Sequence, residues 1–158
     1  MTRSSETSSD SINVHGTAVA IGGKGLLLRG PAGSGKSDLA LRLVDGGAQL
    51  ISDDLVRIER RGPGLWVMAP AGVPADLRHK IEIHGLGVAP LAGLAEAPLV
   101  LVVDLASGPV PERLPRAQAC QYLAVSLPLI AIDPFAVSAA AKLRLAVKLG
   151  PGSIIPPP

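Results

Sequence analysis

The sequence predicts an α/β domain in which a phosphate-binding loop lies in a mixed β-sheet flanked by few helices. Residues 30–37, GPAGSGKS, match the phosphate-loop (P-loop) pattern G-x-x-x-x-G-K-[ST] at every fixed position. Short apolar runs typical of strands outnumber the segments with helical periodicity. Because the chain is 47% hydrophobic but only 2% aromatic, its core must be aliphatic. These three observations favour a sheet-rich fold built around the phosphate loop.

The composition excludes several classes of protein. A single cysteine, Cys120, can form neither an internal disulfide nor a cysteine-cluster zinc site, and we interpret it as a small core residue rather than a nucleophile. The scarcity of aromatic residues argues against a base-stacking nucleic-acid surface. No apolar run is long enough to span a membrane, and the polar start lacks the apolar region of a secretory signal. We therefore expect a cytoplasmic protein with neither a nucleic acid nor a membrane as partner.

The first elements lead into and out of the phosphate loop. Residues 1–11 are polar and predict a disordered lead. Residues 12–21 alternate in polarity and predict a strand interrupted near His15-Gly16. Residues 24–29 predict a buried strand, and the helical periodicity after the loop ends at Gly46-Gly47. Strand, loop and helix in this order are the context that a phosphate loop requires.

The middle of the chain predicts further strands. Residues 48–52 are a short strand that we expect to continue through Asp53-Asp54 into residues 55–58. Residues 65–69 return as the partner of a hairpin. Residues 81–88 alternate like a strand, but two glycines two positions apart indicate a close backbone approach.

The last third of the chain predicts a central strand, two short strands and a helix. Residues 99–104 are an apolar run that ends in an aspartate, typical of a strand covered on both faces. Residues 122–125 and 129–132 predict short strands. Asp133-Pro134 predicts the start of the last helix, with the aspartate as N-cap, and Gly150 its end. The predicted organisation is a lead (1–11), one domain (12–150) and a loose proline-rich tail (151–158).

The phosphate loop has a defined chemistry. Its glycines let successive backbone N–H groups point inward, where they bind a polyphosphate together with the positive end of the following helix. Lys36 would reach the outer phosphates, and Ser37 would place its hydroxyl on a magnesium ion. We therefore predict a nucleoside triphosphate site. Its binding residues are Gly30, Pro31, Ala32, Gly33, Ser34, Gly35, Lys36 and Ser37.

Carboxylates decide which reaction the nucleotide undergoes, and two arrangements compete. Magnesium needs oxygen ligands, and a phosphoryl acceptor hydroxyl needs an oriented base. In the usual arrangement, a hydrophobic strand beside the loop ends in the metal-binding acid, here Asp104. In the other, Asp53 and Asp54 supply the acids, one facing the metal and the other the acceptor. The residues alone leave both arrangements open.

Four segments resemble the catalytic domain of the HPr kinase/phosphorylase family. They are His15-Gly16, the phosphate loop, Asp53-Asp54 and residues 82–87, EIHGLG, where the family has E-I-R-G-L-G. The resemblance covers roughly residues 12–150 and implies the fold of that catalytic domain, related to P-loop folds of the phosphoenolpyruvate carboxykinase type. It also implies an ATP-dependent kinase that phosphorylates a serine of the phosphocarrier protein HPr. Family members catalyse in addition the reverse attack of inorganic phosphate on phosphoserine.

The resemblance implies a role for each matching residue. Asp54 corresponds to the base that takes the serine proton in the kinase direction and to the acid in the reverse direction. Lys36 and the loop amides hold the ATP phosphates. Ser37 and Glu82 correspond to magnesium ligands, and Asp53 is a further candidate ligand. ATP and Mg²⁺ are therefore the expected cofactors.

Two further catalytic assignments and the assembly also follow from the resemblance. His15 matches a histidine of the family site, whereas without the resemblance its context favours an ordinary histidine at a strand end. Arg113, in a proline-rich loop, corresponds to a catalytic arginine, with a solvated loop charge as the alternative. Family members are commonly hexamers, so we expect a homo-oligomer.

The chain departs from the family pattern in three places. Long members carry an N-terminal domain, whereas this chain has only a polar lead and resembles the short form. His84 stands where the family has arginine, so an imidazole replaces a guanidinium group that is always charged. Residues 126–130, SLPLI, stand at the place of an arginine-containing segment linked to dephosphorylation. Fewer arginines predict weaker binding of inorganic phosphate, and hence kinase activity that exceeds phosphorylase activity.

Other functions could use the same sequence features. A P-loop kinase could phosphorylate another protein serine or a small molecule. A regulator without turnover could bind ATP and change its contacts with a partner. A GTPase is disfavoured, because the sequence lacks the N-K-x-D motif that reads guanine.

Overall fold

The computed structural model describes residues 10–105, 117–150 and 154. Eleven β-strands and two α-helices have their bounds within this part of the chain. The strands are β1 (Ser11–His15), β2 (Thr17–Ile21), β3 (Lys24–Arg29), β4 (Gln49–Ser52), β5 (Leu55–Arg61), β6 (Gly64–Met68), β7 (Lys80–Ile83), β8 (Gly87–Pro90), β9 (Glu96–Leu105), β10 (Gln118–Tyr122) and β11 (Val125–Ile132). The helices are α1 (Lys36–Asp45) and α2 (Ala139–Leu149), and a 3₁₀ turn spans Ala75–Leu77. None of the described helices has the length and apolar character to cross a membrane.

The strands confirm the predicted mixed sheet. Nine of them form one sheet in the order β1-β5-β6-β9-β3-β2-β4, and β11 joins it beside β9, with β10 beyond. β9 is parallel to β3 on one side and to β11 on the other, so the carboxyl ends of these three strands share one edge. The phosphate loop follows β3 at that edge, which is where α/β sheets usually bind ligands. β7 and β8 form a separate two-stranded hairpin.

The core covers both faces of β9, as its apolar run predicts. Leu101 and Val103 are fully buried in one cluster with Leu43 of α1 and Leu143 of α2. Val102 belongs to a second buried cluster, on the side of β5 and β6. Successive side chains point to opposite faces of a strand, which explains why neighbours in β9 serve different clusters.

The elements around the phosphate loop also form as predicted. β1 and β2 are interrupted at Gly16, where an added Cβ would lie 2.8 Å from the backbone oxygen of Leu28. β1 begins at Ser11, one residue earlier than expected. α1 ends before Gly46, and β5 and β6 form the predicted hairpin with a turn at Gly62-Pro63.

The predicted continuous strand through Asp53-Asp54 is wrong. β4 ends at Ser52 and pairs with β2, whereas β5 begins at Leu55 and pairs with β1 and β6. Asp54 has a φ of 73°, in the left-handed region that aspartate enters more readily than most residues. The chain therefore changes direction at the two aspartates instead of running straight through them.

The close backbone approach predicted for residues 81–88 is not made by any described part of the chain. Ile83 pairs with Gly87 in the β7–β8 hairpin, and the turn between these strands contains Gly85. Gly85 and Gly87 have φ values of 88° and 117°, and an added Cβ at either would meet no atom within 4 Å among the described residues. The glycines are required by the backbone conformation of the turn and not by a neighbouring chain.

The predicted strand at residues 122–125 is a turn. β10 and β11 form a hairpin in which Leu123 and Ala124 connect the two strands, with φ values of 50° and 64°. Two successive positive φ values are typical of a type I′ turn, which usually contains Asn-Gly. Two apolar residues gave no sequence signal for this turn.

The last helix begins later than predicted. α2 starts at Ala139, and its N-cap is Ser138 rather than Asp133. The carboxylate of Asp133 instead accepts a hydrogen bond of 2.9 Å from the backbone N–H of Phe135. Residues 133–138 therefore form an ordered turn between β11 and α2, and the prediction of a helix opening at Asp133-Pro134 is wrong.

A bidentate ion pair joins the strands behind the phosphate loop. Arg29 and Asp104 are register partners on β3 and β9, and two N–H groups of Arg29 donate to the carboxylate at 2.7 and 2.9 Å. Arg29 also donates to the hydroxyl of Tyr122 on β10 at 3.0 Å. The hydrogen bond with Asp104 raises the pKa of Arg29 above its ordinary value. Three strands are thereby fixed at the edge from which the phosphate loop departs.

We expect Asp104→Asn to lower the free energy of unfolding by about 1–2 kcal/mol, because the half-buried Arg29 loses a charged bidentate partner. Urea denaturation measures this change. The matched control is Glu96→Gln, which should cost less than about 0.5 kcal/mol, because Arg61 keeps its 2.7 Å contact with Glu59. Equal losses in the two variants would show that the Arg29 pair has no special structural role.

Candidate active site

The phosphate loop is closed on its own lysine. The ammonium group of Lys36 donates to the backbone oxygens of Gly30 and Pro31, at 2.6 and 3.0 Å. The backbone N–H of Ser34 donates to the oxygen of Pro31 at 3.0 Å. Gly35, with a φ of 98°, turns the chain into α1. The lysine charge is therefore held at the loop, where it can move to a phosphate oxygen.

Two observations show how tightly the loop is built. The hydroxyl of Ser34 is buried and has no hydrogen-bond partner among the described residues. An added Cβ at Gly30 would lie 2.5 Å from that hydroxyl oxygen, so the first position of the loop accepts only glycine without a shift. A buried hydroxyl without a partner is costly, so the close packing of the loop is maintained against an unsatisfied polar group.

Asp53 is oriented by two hydroxyl groups. Thr17, which is fully buried on β2, donates to one carboxylate oxygen at 2.7 Å. Ser37, in the first turn of α1, lies 3.2 and 3.4 Å from the two carboxylate oxygens. A hydroxyl beside a carboxylate, both facing a phosphate loop, is the oxygen-rich donor set that magnesium prefers.

Asp54 is held by its backbone rather than by its side chain. Its carbonyl oxygen accepts a hydrogen bond of 3.1 Å from the N–H of Gly16, the residue that separates β1 and β2. Its left-handed backbone turns its side chain away from the direction that a straight strand would give. Asp53 and Asp54 nevertheless line the same cavity.

One cavity collects most of the predicted site residues. It has a volume of about 640 Å³, within the usual range for ligand sites. Phosphate-loop residues and the two aspartates form one side, and the β7–β8 hairpin contributes Glu82 and His84. The lining residues are Ala32, Gly33, Gly35, Lys36, Ser37, Asp38, Leu41, Asp53, Asp54, Glu82, Ile83 and His84.

Among the described candidates, those that do not line this cavity are His15, Asp104 and the loop residues Gly30, Pro31 and Ser34. His15 is exposed at the end of β1 and does not belong to the described lining, although its neighbour Gly16 contacts Asp54. Asp104 does not line the cavity either, because Arg29 holds its carboxylate. Arg113 lies outside the described residues. The structure thus favours Asp53 and Asp54 over Asp104 as the acids beside the phosphate loop.

The structure supports the interpretation of Cys120 as a packing residue and shows one hydroxyl, that of Thr17, that was not predicted. Cys120 is partly buried, and burial raises the pKa of its thiol, which suits a packing residue better than a nucleophile. Thr17, which orients Asp53, was not predicted. A threonine in an otherwise apolar strand, directly after Gly16, was the available signal, because a buried hydroxyl needs a partner.

The site fits a magnesium nucleotide better than a metal bound by protein alone. Within the described residues, no group of three or more histidine, cysteine, aspartate or glutamate side chains is arranged to hold a metal ion. Magnesium usually takes one or two protein carboxylates and completes its shell with phosphate oxygens and water. Ser37, Asp53 and Glu82 could supply the protein share of such a shell.

The fold and the cavity define an α/β phosphate-loop domain of the kind that binds polyphosphates. A model of the HPr Serine kinase C-terminal domain matches residues 6–94, more than half of the chain. The chain therefore belongs to this family. The match confirms the resemblance carried by the four sequence segments.

Curated proteins named HPr kinase/phosphorylase are similar to this chain over part of their length. The chain is 43% identical over 75 residues to an HPr kinase/phosphorylase of Exiguobacterium, which is 48% of this chain and 23% of that protein. A protein of the same name from Geobacillus is 38% identical over 99 residues, 58% of this chain and 31% of the relative. The chain thus spans about a quarter to a third of the length of these relatives.

A solved structure confirms the fold. The HPr(Ser) kinase/phosphatase from Coxiella burnetii matches with a TM-score of 0.72, over 87% of this chain and 88% of that one. The two sequences are 22% identical over this match, so the likeness speaks for the architecture.

We expect Lys36→Met to weaken the binding of tripolyphosphate at least about 10-fold, because the loop loses a charge-assisted hydrogen bond. Isothermal titration calorimetry gives the dissociation constants. Lys148→Met is the matched control, since Lys148 is an exposed lysine at the end of α2 and the variant has the same net charge. A similar weakening in both variants would attribute the effect to overall charge and contradict a phosphate site at the loop.

Proposed function

We propose that this protein is an ATP-dependent kinase that transfers a phosphoryl group to a serine of an HPr-type phosphocarrier protein. The observation that carries the proposal is the pair of acids beside the phosphate loop. Asp53 contacts the hydroxyl of Ser37, and Asp54 faces the same cavity from a different backbone conformation. Membership of the HPr serine kinase family and the names of the relatives support this substrate.

Each side of the cavity has its own task in the proposed reaction. The loop amides and Lys36 bind the ATP phosphates and hold the terminal phosphorus in place. Ser37, Asp53 and Glu82 would hold magnesium, which neutralises charge on the transferred group. Because phosphoryl transfer depends mainly on positioning and electrostatics, these contacts supply most of the acceleration.

Asp54 acts on the acceptor. Its carboxylate takes the proton of the serine hydroxyl while the serine oxygen forms a bond to the terminal phosphorus. The bond from that phosphorus to the bridging oxygen breaks, and ADP leaves with the electron pair. Separate duties for two neighbouring acids require that both side chains reach one cavity, which the change of backbone at Asp54 allows.

Two other functions would use the same cavity. A kinase of another protein serine or of a small molecule would label that acceptor and not HPr. A regulator without turnover would bind ATP and release it unchanged. Incubation with ATP and purified HPr separates the proposed function from the other two, because only the proposed function converts HPr to its phosphoserine form.

We expect Asp54→Asn to lower the rate of phosphoryl transfer to HPr by roughly 10²-fold or more, because the amide cannot accept the serine proton. ATP binding should stay within about 3-fold of the wild type, since the loop contacts are unchanged. Single-turnover transfer and calorimetric titration measure the two quantities.

Asp104→Asn is the companion variant for the same assay. It should keep transfer within about 5-fold of the wild type under conditions in which it is folded, because Arg29 holds Asp104 away from the cavity. If Asp104→Asn abolished transfer while Asp54→Asn left it intact, the assignment of the acids would be reversed.

The missing arginines make the reverse reaction weaker in this proposal. His84 lines the cavity at the family's arginine position. Residues 126–130 lie within β11, where Leu127 is buried, so this segment offers no basic group to a phosphate. Inorganic phosphate should therefore bind poorly, and the kinase direction should dominate.

We expect His84→Arg to increase the rate at which inorganic phosphate attacks serine-phosphorylated HPr by about 10-fold, since arginine can bind phosphate through two hydrogen bonds. Release of pyrophosphate is the measurement. His79→Arg, in the segment before the hairpin and outside the cavity lining, is the charge control. Rapid pyrophosphate release by the wild type would contradict the proposed imbalance.

A further inference from the structure

An aromatic side chain stands exposed beside the phosphate loop. Phe135, the single phenylalanine of the chain, is 68% exposed. Its ring atoms Cε1 and Cζ would lie 3.3 and 3.4 Å from a Cβ added at Gly35, the loop residue before α1. Gly35 also lines the cavity, so the ring borders the phosphate site without lying in it. Most of this large apolar side chain therefore remains exposed beside the phosphate loop.

The turn that carries Phe135 is fixed to the phosphate-loop unit. The guanidinium of Arg42, on α1, donates to the backbone oxygens of Pro134 and Ala136. Arg144 of α2 donates to the backbone oxygen of Arg42 at 3.0 Å. The ring is therefore presented by a turn that is hydrogen-bonded to α1, the helix that follows the loop.

The topology places this turn where the rest of a nucleotide would extend. β11 is parallel to β9, and residues 133–138 follow its carboxyl end, at the same edge as the phosphate loop after β3. Ligands of α/β sheets lie along this edge. A nucleoside whose phosphates occupy the loop can extend past Gly35 toward the neighbouring turn.

We propose that Phe135 is the platform on which the purine base of ATP stacks. The proposal rests on the proposed use of ATP and adds the subsite for the base. A flat aromatic face recognises the face of a base, and the braced turn lets the ring bind without a large loss of freedom. The phosphates are then held by the loop and the base by a separate element, the turn between β11 and α2.

Comparison of a ligand with a base and one without a base tests the proposal. ATP and tripolyphosphate share the phosphate chain, so a contact with the base affects ATP alone. We expect Phe135→Ala to raise the dissociation constant of ATP about 10-fold, in line with the loss of one base stack, and to leave that of tripolyphosphate within 2-fold. Phe135→Tyr should keep ATP binding, because it retains the ring.

Val137→Ala is the matched control, since Val137 is a fully exposed apolar residue of the same turn. It should alter neither dissociation constant. Equal weakening of both ligands by Phe135→Ala would mean that the ring supports the loop and not the base, and unchanged ATP binding would remove the ring from the site. Either result overturns the inference but leaves the kinase proposal standing, whereas a wild type that binds neither ligand contradicts both.

Discussion

The arrangement of this domain depends on the point at which Asp53 accepts hydrogen bonds from Thr17 and Ser37. Thr17 belongs to β2, Ser37 begins α1, and Asp53 follows β4, so one carboxylate ties together three elements that are distant in sequence. Thr17 is fully buried, and its hydroxyl needs this acceptor. The same contact holds a carboxylate against the end of the phosphate loop. Structural stability and the proposed magnesium site therefore place the same demand on this position.

The break in the sheet after Asp53 allows the side chain of Asp54 to be oriented separately from that of Asp53. In a continuous strand, neighbouring side chains point to opposite faces, and one of two adjacent acids would be lost to the site. The left-handed backbone at Asp54, and the hydrogen bond from Gly16 to its carbonyl oxygen, bring both acids to one cavity. This hydrogen bond thus joins the interruption between β1 and β2 to the interruption between β4 and β5. Behind them, Arg29 and Asp104 fix the strands from which the loop departs.

Features that depend on local sequence could be predicted, and those that depend on tertiary partners could not. The phosphate loop, α1, the β5–β6 hairpin and the buried strand β9 each carry a periodic or glycine signal in their own residues. The turn at Leu123-Ala124 has no such signal, because apolar residues rarely occupy two successive left-handed positions. The late start of α2 depends on contacts from Arg42, on another helix. The pairing of Arg29 with Asp104, which occupies the Asp104 carboxylate, depends on strand register and was invisible in the sequence.

The fate of the terminal phosphate of ATP tests the proposed kinase activity most directly. Wild-type protein, magnesium, radiolabelled ATP and purified HPr are incubated together, and fragment mass spectrometry locates any phosphate on HPr. We expect one phosphoryl group per HPr molecule, on a serine, with no label on an HPr variant in which that serine is replaced by alanine. Consumption of ATP with the label on free phosphate or on a small molecule, and HPr unlabelled, would contradict this expectation.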